Sequence, residues 1–248
     1  MLEENLTRSQ RKKNKKKKIV IGNAQQTRNN GRMNIKDIQP MTDNQERFMD
    51  AFEEKDVVVI HGYPGTGKSF LSIYMALTEL DVDPEKYNKV LILRSAVASR
   101  NIGFLPGNTK EKMAEYEAPY IKIVNDLYGR GDAWGVLRQK NIIEFNSTSF
   151  LRGLTFDNTI IILDEFQNMS FQELDTVVTR FGDNCKMVII GDTGQDDLTS
   201  ERYKEESGAL KMIELLSRID DVSVIKMNEE DIVRSGFVRK YIMSRYNL

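Results

Sequence analysis

Short apolar runs recur along the chain: Val57-Val58-Val59-Ile60, Val90-Leu91-Ile92-Leu93, Ile160-Ile161-Ile162-Leu163 and Met187-Val188-Ile189-Ile190. Runs of this length without polar alternation predict strands covered on both faces. Strands are expected near 57–61, 89–93, 141–145, 159–163, 186–190 and 222–226. Between them, apolar residues fall at helical spacing, predicting helices near 42–53, 68–80, 109–128, 170–180, 207–218 and 231–246. Thr42 or Asp43 is placed to cap the first of these, with Phe48, Met49 and Phe52 as its apolar side. Strand–helix alternation implies an α/β fold, a mostly parallel, doubly wound sheet flanked by helices, with ligand bound at the strands' C-terminal ends. No segment repeats.

The first strand runs directly into Gly62-Tyr63-Pro64-Gly65-Thr66-Gly67-Lys68-Ser69, and Phe70, Leu71, Ile73 and Leu77 continue as an apolar helical face. Strand, glycine-rich turn and helix in that order form a phosphate-binding loop, and this context carries more weight than the pattern. Backbone N–H groups from Gly62 to Phe70 wrap phosphates at a helix N-terminus. Lys68 reaches the terminal phosphates, and the Ser69 hydroxyl joins a Mg²⁺ shell.

Such a loop needs a carboxylate for the metal and a base for water. Thr159-Ile160-Ile161-Ile162-Leu163 ends in Asp164-Glu165, which supplies both. Asp164 is expected to hold Mg²⁺ and Glu165 to act as general base. That pair argues against small-molecule kinases, whose substrate brings its own hydroxyl. The strand at 187–190 leads into Gly191-Asp192-Thr193-Gly194-Gln195, where Gln195 is a candidate sensor of the γ-phosphate or the attacking water.

In order along the chain, these motifs resemble those of the PhoH-like ATPases, whose core is similar to the first motor domain of superfamily 1 helicases. The resemblance runs from Asn44-Gln45-Glu46-Arg47-Phe48 through Leu93-Arg94-Ser95, Ile102-Gly103-Phe104-Leu105-Pro106-Gly107 and Asp164-Glu165-Phe166-Gln167-Asn168. It continues through Thr179-Arg180-Phe181-Gly182, Gly191-Asp192 and Ser207-Gly208 to Asp231-Ile232-Val233-Arg234-Ser235. Ser95 and Gly194 depart from it, standing where the family has proline and threonine. The resemblance implies a RecA-like fold, adenine recognition by Gln45, and hydrolysis of ATP to ADP and phosphate. It further implies single-stranded RNA or DNA as partner, with helicase-like activity, and a connection to phosphate starvation. The compact form is similar to those of bacteria and their phages.

Composition changes this picture in one place. An apolar fraction of 40% over 248 residues suffices for a substantial core. No apolar run approaches the ~18 residues that cross a bilayer. The start Met1-Leu2-Glu3-Glu4 lacks the order of a secretory signal, and Cys185 is the only cysteine, so the expected setting is cytoplasmic, a host's cytoplasm if the chain is phage-encoded. The net charge of −1, however, hides an asymmetry. Residues 1–36 carry 11 Lys/Arg against 2 Asp/Glu, a formal +9, which leaves −10 for residues 37–248. Residues 1–36, with the run from Arg11 to Lys18, are therefore read as a solvated, flexible basic arm. It is either a non-specific tail or a source of salt-sensitive contacts to nucleic acid. Residues 37–248 are read as the ATPase domain.

Three further readings complete the expectation. Aromatics between 99 and 140 (Phe104, Tyr116, Tyr120, Tyr128, Trp134) are interleaved with Lys and Arg, but helical spacing favours a core role over a stacking surface. His61, the only histidine, has no metal-partner pattern and is expected to pack locally. Arg180 and Arg234 are candidate arginine fingers acting on a neighbouring subunit, because the chain is too short for a second motor lobe. The expected unit is therefore a homo-oligomer, a ring such as a hexamer. Two alternatives stand beside the ATPase: a nucleotide-gated RNA-binding switch with little turnover, and a phosphotransferase. Glu165 argues against the first, since a switch needs no base.

Overall fold

The computed structural model describes residues 33–95, 109–151, 155–192 and 208–246. All of these but 33 and 34 belong to one unit, Ile35–Leu248. The basic run at 11–18, Phe104, and Gln195 lie outside the described residues.

The apolar runs form the strands β1 (Val57–Gly62), β2 (Lys89–Arg94), β3 (Ile143–Ser147), β4 (Thr159–Asp164), β5 (Lys186–Gly191) and β6 (Val222–Met227). They pair in the order β3-β2-β4-β5-β1-β6, and every pair is parallel. β5 thus separates the loop-bearing β1 from β4, the arrangement expected of the RecA-like P-loop fold. Because all strands run the same way, Gly62, Arg94, Asp164 and Gly191 reach one edge of the sheet. Register places Arg94 beside Asp164 and Gly62 beside Met227.

The helices are α1 (Asp43–Glu54), α2 (Lys68–Val82), α3 (Thr109–Tyr128), α4 (Ala133–Gln139), α5 (Phe171–Val178), α6 (Gly208–Leu216) and α7 (Gly236–Tyr246). On one face, Leu174 and Val177 of α5 and Ala209, Met212 and Leu216 of α6 join Val59, Leu91, Leu93, Ile161, Leu163, Met187 and Ile189. Burying each such aliphatic side chain stabilises the fold by roughly 1.5–3 kcal/mol before chain entropy is counted. α2 packs against β2, β4 and β5, and α3 packs on α2 and β3. Caps fix two of the helix starts. Thr42 accepts from the Gln45 N–H, and Ser170 with Glu173 forms a reciprocal capping box.

The structure adds one helix to the sequence reading and shifts several boundaries, four of these differences having a clear local reason. α4 is an additional helix, hidden in the sequence because its seven residues offer only Ala133, Trp134 and Leu137 to the core. β3 starts two residues later than expected, since Ile142 N–H bonds back to Leu137 O and Asn141 adopts a left-handed φ of 56°. α5 ends at Val178, after which Phe156 and Phe181 pair as a parallel bridge. The last helix begins at Gly236 rather than 231. Glu229–Asp231 forms a capped 3-10 turn, and Val233 N–H bonds Gly65 O at 3.1 Å, which draws the intervening chain out of helical geometry.

The aromatics at 116–134 mostly serve the core. Tyr120 and Trp134 are buried, while Tyr116 and Tyr128 are half-buried.

Candidate functional site

Gly62 to Phe70 occupies the turn between β1 and α2, as its sequence requires. Gly65 has φ of +76°, and a side chain there would also stand 2.8 Å from Arg234 Cγ, so both backbone and space call for glycine. Gly67, at φ 83°, caps α2. Thr66 is fully buried and its hydroxyl donates to Tyr63 O at 3.0 Å. Lys68 Nζ donates to Gly62 O at 2.8 Å and Tyr63 O at 2.6 Å, folding over the loop. Burial lowers its pKa, opposed by Asp192, Asp164 and Glu165. Three carboxylates therefore oppose the loss of charge that burial favours at Lys68.

The end of β4 faces the loop. Ser69 Oγ donates to Asp164 Oδ2 at 3.0 Å, and Glu165 N–H donates to Asp164 Oδ1 at 2.9 Å. A hydroxyl beside a carboxylate is the hard-oxygen donor set that suits Mg²⁺, which takes few protein ligands and leaves the rest to phosphate and water. The two residues fit the metal they are expected to hold.

Glu165 adopts a left-handed conformation, φ 58° and ψ 40°, unusual for a residue with a side chain. Strain of this kind, on the order of 1–3 kcal/mol, persists where the surroundings over-determine the backbone. Its carboxylate accepts from Gln167 Nε2 at 2.6 Å, and Gln167 Oε1 accepts from the Asp192 N–H at 3.0 Å. Burial, then the charge of Asp164, raises the Glu165 pKa, against Arg94, Gln167 and Lys68. A carboxylate with raised proton affinity suits a general base.

These groups border one cleft of about 560 Å³, lined by residues 64–69 of the loop together with Arg94, Tyr120, Asp164, Glu165, Gln167, Asp192 and Arg234. Arg234 therefore sits over its own chain's loop. Arg180 is not brought to this cleft. Its carbonyl accepts from Phe156 N–H, beside the N-terminal ends of β4 and β5, at the opposite edge of the sheet. Gln45 is buried beneath the loop at 3% exposure. Its Nε2 donates to Thr66 O at 3.1 Å and its Oε1 accepts from Met41 N–H at 2.7 Å, which leaves one N–H and one lone pair of the amide. His61 packs at the end of β1 as expected, 8% exposed, and its pKa is lowered by burial and then by Lys226 and Lys68.

Three residues of the site carry no role that the sequence alone assigns: Arg94, Tyr120 and Gln167. Arg94 and Gln167 stand within recognised motifs, adjacent to strand ends, and that position is their signal. Tyr120 has none, since only the packing of α3 brings it to Asp164.

The PhoH-like protein family matches residues 37–247 of the chain. A PhoH-like protein of Bacillus subtilis is 35% identical over 208 residues, covering 84% of this chain and 63% of its own length. Protein PhoH of Escherichia coli K12 is 30% identical over 201 residues, covering 79% of this chain and 54% of its own. The chain thus spans less than two thirds of these curated relatives. Among solved structures, the large terminase of a thermophilic bacteriophage is similar over 84% of this chain and 50% of its own. There the TM-score is 0.47 and the identity 10%.

Proposed function

The chain belongs to the PhoH-like protein family, and we propose that it is a Mg²⁺-dependent ATPase that hydrolyses ATP to ADP and phosphate. The observation that carries this reading is the strained, half-buried Glu165, which lines the same cleft as Lys68, Ser69 and Asp164.

In this reading the loop's N–H groups and Lys68 bind the phosphates, with Lys68 exchanging its two carbonyl contacts for phosphate oxygens. Ser69 and Asp164 hold Mg²⁺, which neutralises charge on the phosphates when bound. Glu165 takes the proton of the attacking water, held in place by Gln167. Arg234 lies over Gly65 and meets developing phosphate charge from within the same chain. Gln195, four residues after β5 in sequence, remains the proposed sensor. The remaining N–H and lone pair of the Gln45 amide are what an adenine edge would meet.

Coupling to single-stranded RNA or DNA, helicase-like movement and a homo-oligomeric ring extend the same proposal. Arg180, away from its own cleft at the far edge of the sheet, enters this proposal only as a finger for a neighbour's site. No helix among the described residues is long and apolar enough to cross a membrane.

The test is phosphate release from ATP and Mg²⁺, with and without single-stranded RNA or DNA, for the wild type and Glu165→Gln. Turnover abolished by the substitution supports the ATPase, and stimulation by nucleic acid supports the coupling. ATP binding without turnover in both proteins would overturn the ATPase in favour of a switch.

A further inference from the structure

Asp164 is held by a residue from outside every recognised motif. Its Oδ2 accepts from the Tyr120 hydroxyl at 2.9 Å as well as from Ser69 Oγ at 3.0 Å. Tyr120 stands in the middle of α3, just after Pro119, and is 2% exposed. Its ring packs on Phe145 of β3, with centroids 5.3 Å apart. One turn earlier on the same helix, the Tyr116 ring carries the Arg94 guanidinium 5.1 Å from its centre.

The direction of the Tyr120–Asp164 bond follows from the groups. A carboxylate only accepts, so the single phenolic proton of Tyr120 is committed to Asp164. Space-filling does not explain the hydroxyl, because a phenylalanine would pack on Phe145 equally well. A buried hydroxyl persists where its bond offsets desolvation, and here the partner is Asp164 of the site. With Oδ2 shared between Tyr120 and Ser69, and Oδ1 bonded to Glu165 N–H, the carboxylate plane is fixed at three points.

We infer that Tyr120 is a positioning residue that pre-sets the Asp164 carboxylate for the magnesium ion of the nucleotide complex. This rests on the reading of Asp164 and Ser69 as the metal-holding pair. It gives α3 a part in the chemistry: any displacement of that helix loosens the metal carboxylate.

The experiment is ADP binding by calorimetry to the full chain across a magnesium titration and in EDTA, for wild type and Tyr120→Phe, with thermal melting alongside. The expected result is that the magnesium concentration giving half-maximal tightening of ADP binding rises about 10-fold in Tyr120→Phe. Loss of such an outer partner typically weakens metal binding by 10–100-fold. Affinity in EDTA stays within about twofold, since the loop's own contacts are intact. An unchanged magnesium midpoint overturns the inference, as does an equal loss of affinity with and without the metal, which is the mark of a merely structural tyrosine. Should Tyr120→Phe not fold, Phe145→Leu keeps the hydroxyl but frees the ring; its midpoint is expected to rise less, and no rise overturns the inference. A wild type whose ADP binding ignores magnesium overturns the metal-pair reading and this inference together. A magnesium-dependent wild type matched by Tyr120→Phe overturns the inference alone.

Discussion

Gln167 Nε2 lies 2.6 Å from Glu165 Oε2, and the other end of the same amide accepts the Asp192 N–H at 3.0 Å. One buried side chain therefore ties Glu165, just after β4, to the end of β5. The amide serves both ends at once because it carries a donor and an acceptor; a carboxylate or an aliphatic group would lose at least one bond.

Gln167→Leu is expected to lower kcat by about 10- to 100-fold, part of the 10²–10⁴ that a positioned base contributes. ATP affinity should change little, because Lys68 and the loop are untouched. Single-turnover hydrolysis with a separate nucleotide-binding titration separates the two. An equal fall in affinity would mean that Gln167 supports the loop and not the base.

Gly191 sits against the same pair. A side chain at this position would run into the Phe166 ring and Gln167 Oε1. Gly191→Ala is expected to destabilise the protein by about 1–3 kcal/mol through overpacking and to displace Gln167, so that kcat falls with it. Denaturant unfolding and steady-state turnover on one preparation check both. A stable variant with full activity would show that the β4–β5 junction yields at little cost.

The sheet and the glycine-rich turn between its first strand and α2 were legible because their signals are local. An uninterrupted aliphatic run has one structural reading when a glycine-rich turn or an acidic pair ends it. Gln167 and Arg94 were half-legible, being adjacent to strand ends but without chemistry that spacing could assign. Tyr120 was not legible: it is 44 residues from Asp164 in sequence, and only the packing of α3 on β3 and α2 joins them. Arg234 illustrates the converse. Its motif is recognisable, but a helix starting at 231 would not reveal that the chain at Val233 bonds Gly65 O and lays the arginine over its own loop.

His61 sets a pH dependence with a definite sign. Burial, then Lys226 and Lys68, lowers its pKa below the ordinary 6.5, with Asp192 opposing. Below pH 6.5 the unfolded chain binds a proton at this residue that the folded one resists, so stability is lost as pH falls from 6.5 towards the lowered value. Above that ordinary value the contribution is constant. Wild type should therefore lose a few degrees more of Tm than His61→Gln between about pH 7.5 and about pH 5.5. The raised pKa of Glu165 acts in the opposite direction in both proteins and drops out of the difference. Parallel Tm profiles would show that His61 is protonated as easily in the fold as outside it.

Asp231 joins the two ends of the domain that flank the loop. Its carboxylate is 2% exposed and accepts from Thr42 Oγ1 at 2.5 Å, Asn44 Nδ2 at 2.8 Å and Asn228 N–H at 2.8 Å. Thr42 caps α1, which carries Gln45 to Thr66, and Asp231 leads through Val233 to Gly65, so both supports of the loop converge on this one side chain. Asp231→Ala leaves three donors without their acceptor, each worth about 1–3 kcal/mol when buried and unsatisfied. Partial solvent access to Thr42 and Asn44 brings the expected loss to about 2–4 kcal/mol. Nucleotide affinity should fall as well, because the loop loses alignment from both sides, while Asp231→Asn, which keeps one acceptor, should fall between. Denaturant unfolding and ATP binding below the unfolding range measure the two effects. Lost stability with unchanged affinity would mean that the loop keeps its shape without this latch.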